Sequence, residues 1–260
     1  MKALTLAAAL LATTALGGAA QAQTVAALVG DNTLAIVDVA AKKVDRTVQV
    51  QGLSGALLGI DVRPADGMLY GLVADGTVVT IDPATGKATQ KSKLETTLPA
   101  GVMATVDFNP AADRLRVIGS DGTNLRANVD DGKVTKDGGL KFADGDMHKG
   151  KTPKIVAGAY TNSMKGAKET TLFDIDATGA VVRQAPPNDG VLNSVGMLGM
   201  AADMAAFDIV ADGNGGNEGW LMAGDTLYKV DLATGKGTSV GKIGGVTGTV
   251  RDIAAMPKAM

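Results

Sequence analysis

Apolar and polar residues alternate in short runs along most of the chain, and a 3.6-residue period is nearly absent. The runs are cut by Asp-Gly, Pro-Ala-Asp-Gly or Ala-Thr-Gly turns. Alternation at period two sends successive side chains to opposite faces of a strand, so the pattern predicts an all-β protein. The alternation also repeats. Gly59–Thr89 lies over Thr105–Thr135 at a constant offset of 46 residues, without a gap across 31 positions. Asp61 then meets Asp107, Pro64 meets Pro110, Leu69 meets Leu115, and Asp75-Gly76-Thr77 meets Asp121-Gly122-Thr123.

Each unit reads as four strands. An inner one carries Ile60-Asp61-Val62, and the next spans Met68–Val73 after a Pro-containing turn. A third runs over Val78–Asp82 and a fourth over Ala88–Ser92. Asp82-Pro83-Ala84-Thr85-Gly86 joins the last two. Pro83 pre-sets its own φ, Asp82 accepts a backbone N–H, and Gly86 takes positive φ at low cost. This third-to-fourth hairpin is expected five times: Thr33–Val44, Thr77–Ala88, Thr123–Val134, Thr171–Val181 and Thr226–Gly237. Inner strands are expected at Asp61, Asp107, near Ala159, at Asp208 and at Asp252. Four-stranded units of this length are propeller blades.

The ends supply a closure argument. The chain opens with three strands of a blade (Thr24–Val29, Leu34–Val39, Val44–Val50) and finishes with one unpaired inner strand, Thr249–Met256. Pairing the two pieces closes the ring and leaves no open sheet edge. The expectation is a single five-bladed β-propeller of four-stranded antiparallel blades over residues 23–260. A sixth blade would follow if Val191–Met204 formed strands of its own, but that segment reads as connection.

Residues 1–22 change the picture of where this propeller works. A charged start at Lys2, an apolar run from Ala3 to Leu16 and the small-residue end Ala20-Gln21-Ala22 have the plan of a secretory signal peptide cut after Ala22. A periplasmic or secreted protein is expected, with no membrane span, since about 20 strongly apolar residues would be needed for one. Lys2 is the only charged residue of that segment, so its removal takes the net charge from −2 to −3. No basic cluster stands out, which argues against a nucleic-acid partner.

The inventory narrows the chemistry. There are no cysteines, which excludes disulfides, thiolate metal sites and covalently attached haem. One tryptophan, three tyrosines and four phenylalanines can hardly assemble an aromatic stacking site. That shortage disfavours a quinoprotein dehydrogenase. The single histidine, His148, has no G-x-S-x-G elbow to serve and no companion zinc ligands, and is expected to be an exposed loop residue.

The segments GIDVRPADGMLYGL, VDFNPAADRLRVIGSDGTNLR, AYTNS…TTLFDID and QAPPNDGVLNSVGMLG, spread over nearly the whole mature chain, resemble domain-of-unknown-function family 4394, a family of exported bacterial proteins. The resemblance implies a propeller-like fold and no particular activity. The loop Asp212–Glu218 is longer and more polar than the resemblance implies.

Several residues are candidates for a site. Asp61, Asp107, Asp208 and Asp252 repeat at one position of four blades. They read either as backbone staples within each blade or as a ring around the axis that holds a cation. Repetition favours the staples, and the fourth blade lacks the Asp. The Pro186–Gly190 loop with Asn188, Asp189 and Asn193 interrupts the repeat and reads as a ligand loop or a long crossover. Arg114 and Arg116 share a strand face, with Arg126 on the next strand. They read as an anion patch or as ion pairs with Asp113 and Asp121. Asp212, Asn214, Asn217 and Glu218 offer oxygens at calcium-like spacing without the order of an EF-hand loop. No cofactor is otherwise implied. The leading expectation is a non-catalytic binding or scaffold module for an unknown protein, envelope component or small molecule. The alternative is a calcium-dependent hydrolase or lactonase built on Asp107, Asn109 and Asp189.

Overall fold

The computed structural model describes residues 23–200 and 202–256. It contains five sheets, each built on four antiparallel strands and one carrying a short fifth strand, arranged as a five-bladed propeller. Blade 1 runs outward through Val250–Ala255, Thr24–Val29, Thr33–Asp38 and Lys43–Gln49. Blade 2 comprises Leu57–Val62, Leu69–Val73, Thr77–Ile81 and Ala88–Lys93, and blade 3 comprises Ala104–Asn109, Arg114–Gly119, Asn124–Ala127 and Val134–Lys136. Blade 4 comprises Ile155–Tyr160, Leu172–Asp176, Ala180–Gln184 and Val191–Met197, and blade 5 comprises Ala205–Ala211, Asn217–Ala223, Thr226–Val230 and Gly237–Lys242. The first strand of each blade touches its counterparts in both neighbouring blades, so these five strands surround the axis.

The ring closes as the ends of the sequence indicate. Val25 pairs with Ala255, Ala26 with Ala254, Ala27 with Ile253 and Leu28 with Asp252. The signal-peptide reading of residues 1–22 lies outside the described residues.

Two expectations about blade 4 are corrected. The Thr171–Val181 hairpin joins its second and third strands, because Leu172–Asp176 pairs with the inner strand on one side and Ala180–Gln184 on the other. The fourth strand is Val191–Met197, which pairs with Ala180–Gln184 and was expected to be a connection. The described residues therefore form no sixth blade. The short strand Lys141–Phe142 adds to its outer edge in parallel.

Alternation explains the packing. Both faces of the three inner strands of a blade are covered by neighbouring blades, so strands such as Leu69–Val73 are buried throughout. The outer strands are polar and exposed, as in Lys43–Gln49. An apolar cluster lies in each of the five gaps between blades. Four hold thirteen buried apolar residues each, whereas the gap between blades 3 and 4 holds eight, including Tyr160 and Phe142. That gap is thinner in apolar side chains because Arg116, Asn124, Asp174 and Gln184 are buried in it.

Candidate functional site

The repeated aspartates stand on the strands around the axis, and all four are buried. Each staples its blade to the next, not to its own blade alone. Asp61 accepts the amide of Val62 at 2.6 Å and that of Phe108, in blade 3, at 2.7 Å. Asp252 accepts Ile253 at 3.0 Å and Ile60, in blade 2, at 2.9 Å. Asp208 accepts Ile209 and Ala255, in blade 1, both at 2.6 Å. Asp107 accepts Tyr160, in blade 4, at 3.0 Å. Its own following amide, Phe108, is already given to Asp61. In blade 4 the equivalent position is Ala159, ahead of the Tyr160 amide, so no carboxylate staples blade 4 to blade 5.

Asp61, Asp107 and Asp208 each present an oxygen within 4.8 Å of the other two, which makes them the one group of described residues placed to share a cation. Burial first, then the charge of Asp208, pushes the Asp61 carboxyl well above the usual carboxylate range. Burial raises Asp107 likewise, followed by the charges of Asp61 and Asp208. Burial pushes Asp208 up to about 6 and raises Asp252. No basic side chain ranks among the groups acting on Asp61, Asp107 or Asp208.

Above this floor opens a cavity of about 810 Å³, bordered by Asp61 and Asp208. Its walls come from the residues at and beyond the C-terminal ends of the inner strands: Val62, Ile209, Val210 and Met256, with Met164 and Lys165 at the rim. One side of the rim is built from two loops. Ser163–Lys165 follows the inner strand of blade 4, and Asp212–Glu218 reaches over from blade 5. Asn162 and Asn217 lock the loops together through reciprocal bonds of 2.7 and 2.9 Å. Lys165 and this lock were not singled out in the sequence. Asn217 stood among the calcium-like oxygens, and Asn162 lies in the AYTNS segment, but nothing in the sequence joined them.

Most of the other candidate residues have structural partners. Asp212 accepts the amides of Asn214 at 2.7 Å and Gly216 at 2.8 Å, closing its own loop, while Glu218 pairs with Lys229. Asn109 caps the turn that follows it through the amides of Ala111 and Ala112. Arg114 donates to the Asp113 carbonyl at 2.8 Å. Arg116 is 2% exposed and reaches Asp137 at 2.6 Å, Asn124 at 2.9 Å, Tyr160 at 3.1 Å and Asn188 at 2.8 Å. Asp137, not the expected Asp113 or Asp121, is thus the counter-ion of Arg116, and also of Arg126. Asp113 instead pairs with Arg63. Asn193 holds its own loop by donating to the Ala185 carbonyl, and Asp189 is exposed in the short 3-10 turn Pro187–Asp189. Asp107 therefore lies on the axis, whereas Asp189 lies in the turn before the outermost long strand of blade 4. The structure does not bring them together.

His148 is also corrected: it is largely buried, tilted against the Phe142 ring, with Nδ1 3.0 Å from the Ser194 hydroxyl. Ser194 also lies 2.9 Å from Asp146. Burial acts to raise Asp146, but the amides of Ser194 and His148 and the Ser194 hydroxyl hold it below its usual range. The Ser194 hydroxyl donates to the ionised Asp146 carboxylate, which leaves the serine oxygen free to accept from His148 Nδ1. A serine whose proton faces a carboxylate is not activated by the imidazole, so the trio clamps the 143–150 segment onto the blade edge.

A family model described as "Domain of unknown function (DUF4394)" matches residues 33–254. No curated protein matches the chain. Among solved structures, a structural genomics protein of unknown function from Bacteroides thetaiotaomicron VPI-5482 is 18% identical with a TM-score of 0.55, over 93% of this chain and 66% of that one. A protein of unknown function from Bacteroides caccae is 16% identical with a TM-score of 0.45, over 86% of this chain and 73% of that one. The first likeness is one of fold. The chain spans just under two thirds of that protein's length.

Proposed function

The chain belongs to the DUF4394 family, and on that premise we propose that it is an exported, non-catalytic binding module whose ligand enters the axial cavity. The observation that carries the reading is the cavity itself. About 810 Å³ suits a small molecule, and the space combines apolar walls with convergent carboxylates at its base. The residues around it offer no nucleophile activated by a base, and the one serine–histidine pair is occupied as a clamp. The signal-peptide plan of residues 1–22 supports the export part of the reading, to the periplasm or outside the cell.

A thermal-shift screen of the purified mature protein against amines, sugars, carboxylates, phosphates and calcium chloride, followed by calorimetry on hits, tests the reading. Saturable binding that weakens when Met164 is replaced by alanine supports it. A protein that binds nothing in the panel, or that turns over ester, lactone or phosphoester substrates, overturns it. Mass measurement of the exported product should give a chain beginning at Gln23.

A further inference from the structure

We infer that the cavity takes an organic cation, a primary amine carried on an apolar body, whose ammonium group docks on Asp61, Asp107 and Asp208. This deepens the reading of the cavity as a ligand site and rests on it.

Three observations lead there. The first is charge. Asp61 and Asp208 border the cavity, an oxygen of Asp107 lies within 4.8 Å of theirs, and none of the three has a basic side chain among the groups acting on it. A buried carboxylate left without a counter-ion must take up a proton or meet a positive charge brought from outside.

The second is an unsatisfied oxygen. Of the eight oxygens in the four axial carboxylates, seven accept a backbone N–H. The second oxygen of Asp107 alone has no donor among the described residues. It lacks one because the amide that serves the equivalent oxygen elsewhere, the one following the aspartate, is committed to Asp61. A ligand N–H supplies the missing donor.

The third is spacing. The three oxygens lie within 4.8 Å of one another. A tetrahedral ammonium nitrogen that donates three bonds of about 2.85 Å needs acceptors no more than about 4.7 Å apart, a separation this limit allows. The space above is also far larger than an ion requires. Val62, Ile209, Val210, Met164 and Met256 around it give an apolar body somewhere to lie.

The test compares isosteres on the wild-type protein. Phenethylamine and hexylamine are titrated by calorimetry beside 2-phenylethanol, hexanol, hexanoate and calcium chloride. The expected result is saturable amine binding at least tenfold tighter than that of the matching alcohols. Asp107→Asn, which disturbs a single backbone bond, should weaken the amine at least tenfold while leaving the far-ultraviolet circular dichroism unchanged. Should that variant fail to fold, the amine–alcohol comparison on wild type still decides. Alcohols or hexanoate binding as well as the amines would overturn this inference and leave the binding module standing. So would stoichiometric calcium with no amine binding. Binding of nothing in the panel overturns both.

Discussion

Gly86 has a φ of +76°, and a Cβ on it would collide with the carbonyl of Gln49 in the preceding blade. The Ala-Thr-Gly turn therefore serves two purposes. It closes a hairpin through Asp82, and it lets the turn press against the neighbouring blade, where the Gln51 amide donates to the Gly86 carbonyl at 2.9 Å. Gly132 and Gly235 approach the blade before them in the same way. At the matching position of blade 1 the chain has Lys42, held at a φ of +52°. Gly86→Ala should cost at least about 2 kcal/mol, combining left-handed strain with a backbone collision that cannot relax, as read by urea denaturation. An unchanged midpoint would contradict this account of the turn. The positive φ was legible in the motif, but the contact with Gln49 was not, since nothing local marks which blade lies behind.

Asp174 is the other decisive single residue. It is fully buried, neither carboxylate oxygen has a hydrogen-bond partner, and it fills the space left by the missing side chain of Gly158. Burial pushes its carboxyl up to about 8, with Arg116 acting in the opposite direction. The folded protein thus keeps a proton that the unfolded chain releases near 3.8. The stability tied to that proton is complete below about pH 4 and is lost as pH rises towards 8, with a slope of up to about 1.4 kcal/mol per pH unit. Asp174→Asn cannot lose the proton, so its melting temperature should gain on wild type steadily from pH 5 to pH 8. Parallel curves would show that the carboxyl is ionised throughout.

Among the elements, blade 4 departs most from the repeat. Its outer strand Val191–Met197 follows the Pro186–Gly190 loop, and that loop is drawn inward because Arg116 donates to Asn188 and Asn124 donates to the Pro187 carbonyl. Gly190 packs directly on Gly138 and Gly139. The loop that looked like a break in the repeat is thus the seam between blades 3 and 4. Arg116→Met should destabilise the protein by about 3–5 kcal/mol, because Asn188 and Asn124 lose their charged donor and Asp137 keeps only Arg126. A loss below 1 kcal/mol in chemical denaturation would remove the seam from the account. The alternation of Arg114 and Arg116 was visible in the sequence. Their partners were not, since Asp137 sits in irregular chain beyond its blade and Asn188 is 72 residues away.

At the scale of the whole molecule, stability depends on joining the two ends. Ala26 and Ala254 face each other across the closing pair, both fully buried, and the chain has no native cysteine to interfere. Opposed residues of an antiparallel pair have Cα atoms about 4.5–5.5 Å apart, within reach of a disulfide. The double variant Ala26→Cys, Ala254→Cys should oxidise spontaneously and gain about 4 kcal/mol, the return expected from closing so long a loop in the unfolded chain. Dithiothreitol should abolish the gain. Two free thiols after mild oxidation would mean that these strands are not neighbours.

Strand alternation, turn chemistry and the 46-residue period are local properties, and they were enough to specify the all-β class, the blade and the closure of the ring. Three features came only from the tertiary structure: which strand ends blade 4, which amides the axial carboxylates hold, and where a cavity opens. Each depends on residues far apart in sequence, as when Asp252 accepts the amide of Ile60 across 192 positions. Such pairings leave no periodic trace in the chain. They exist once the blades have packed and burial has left each carboxylate a choice of neighbours.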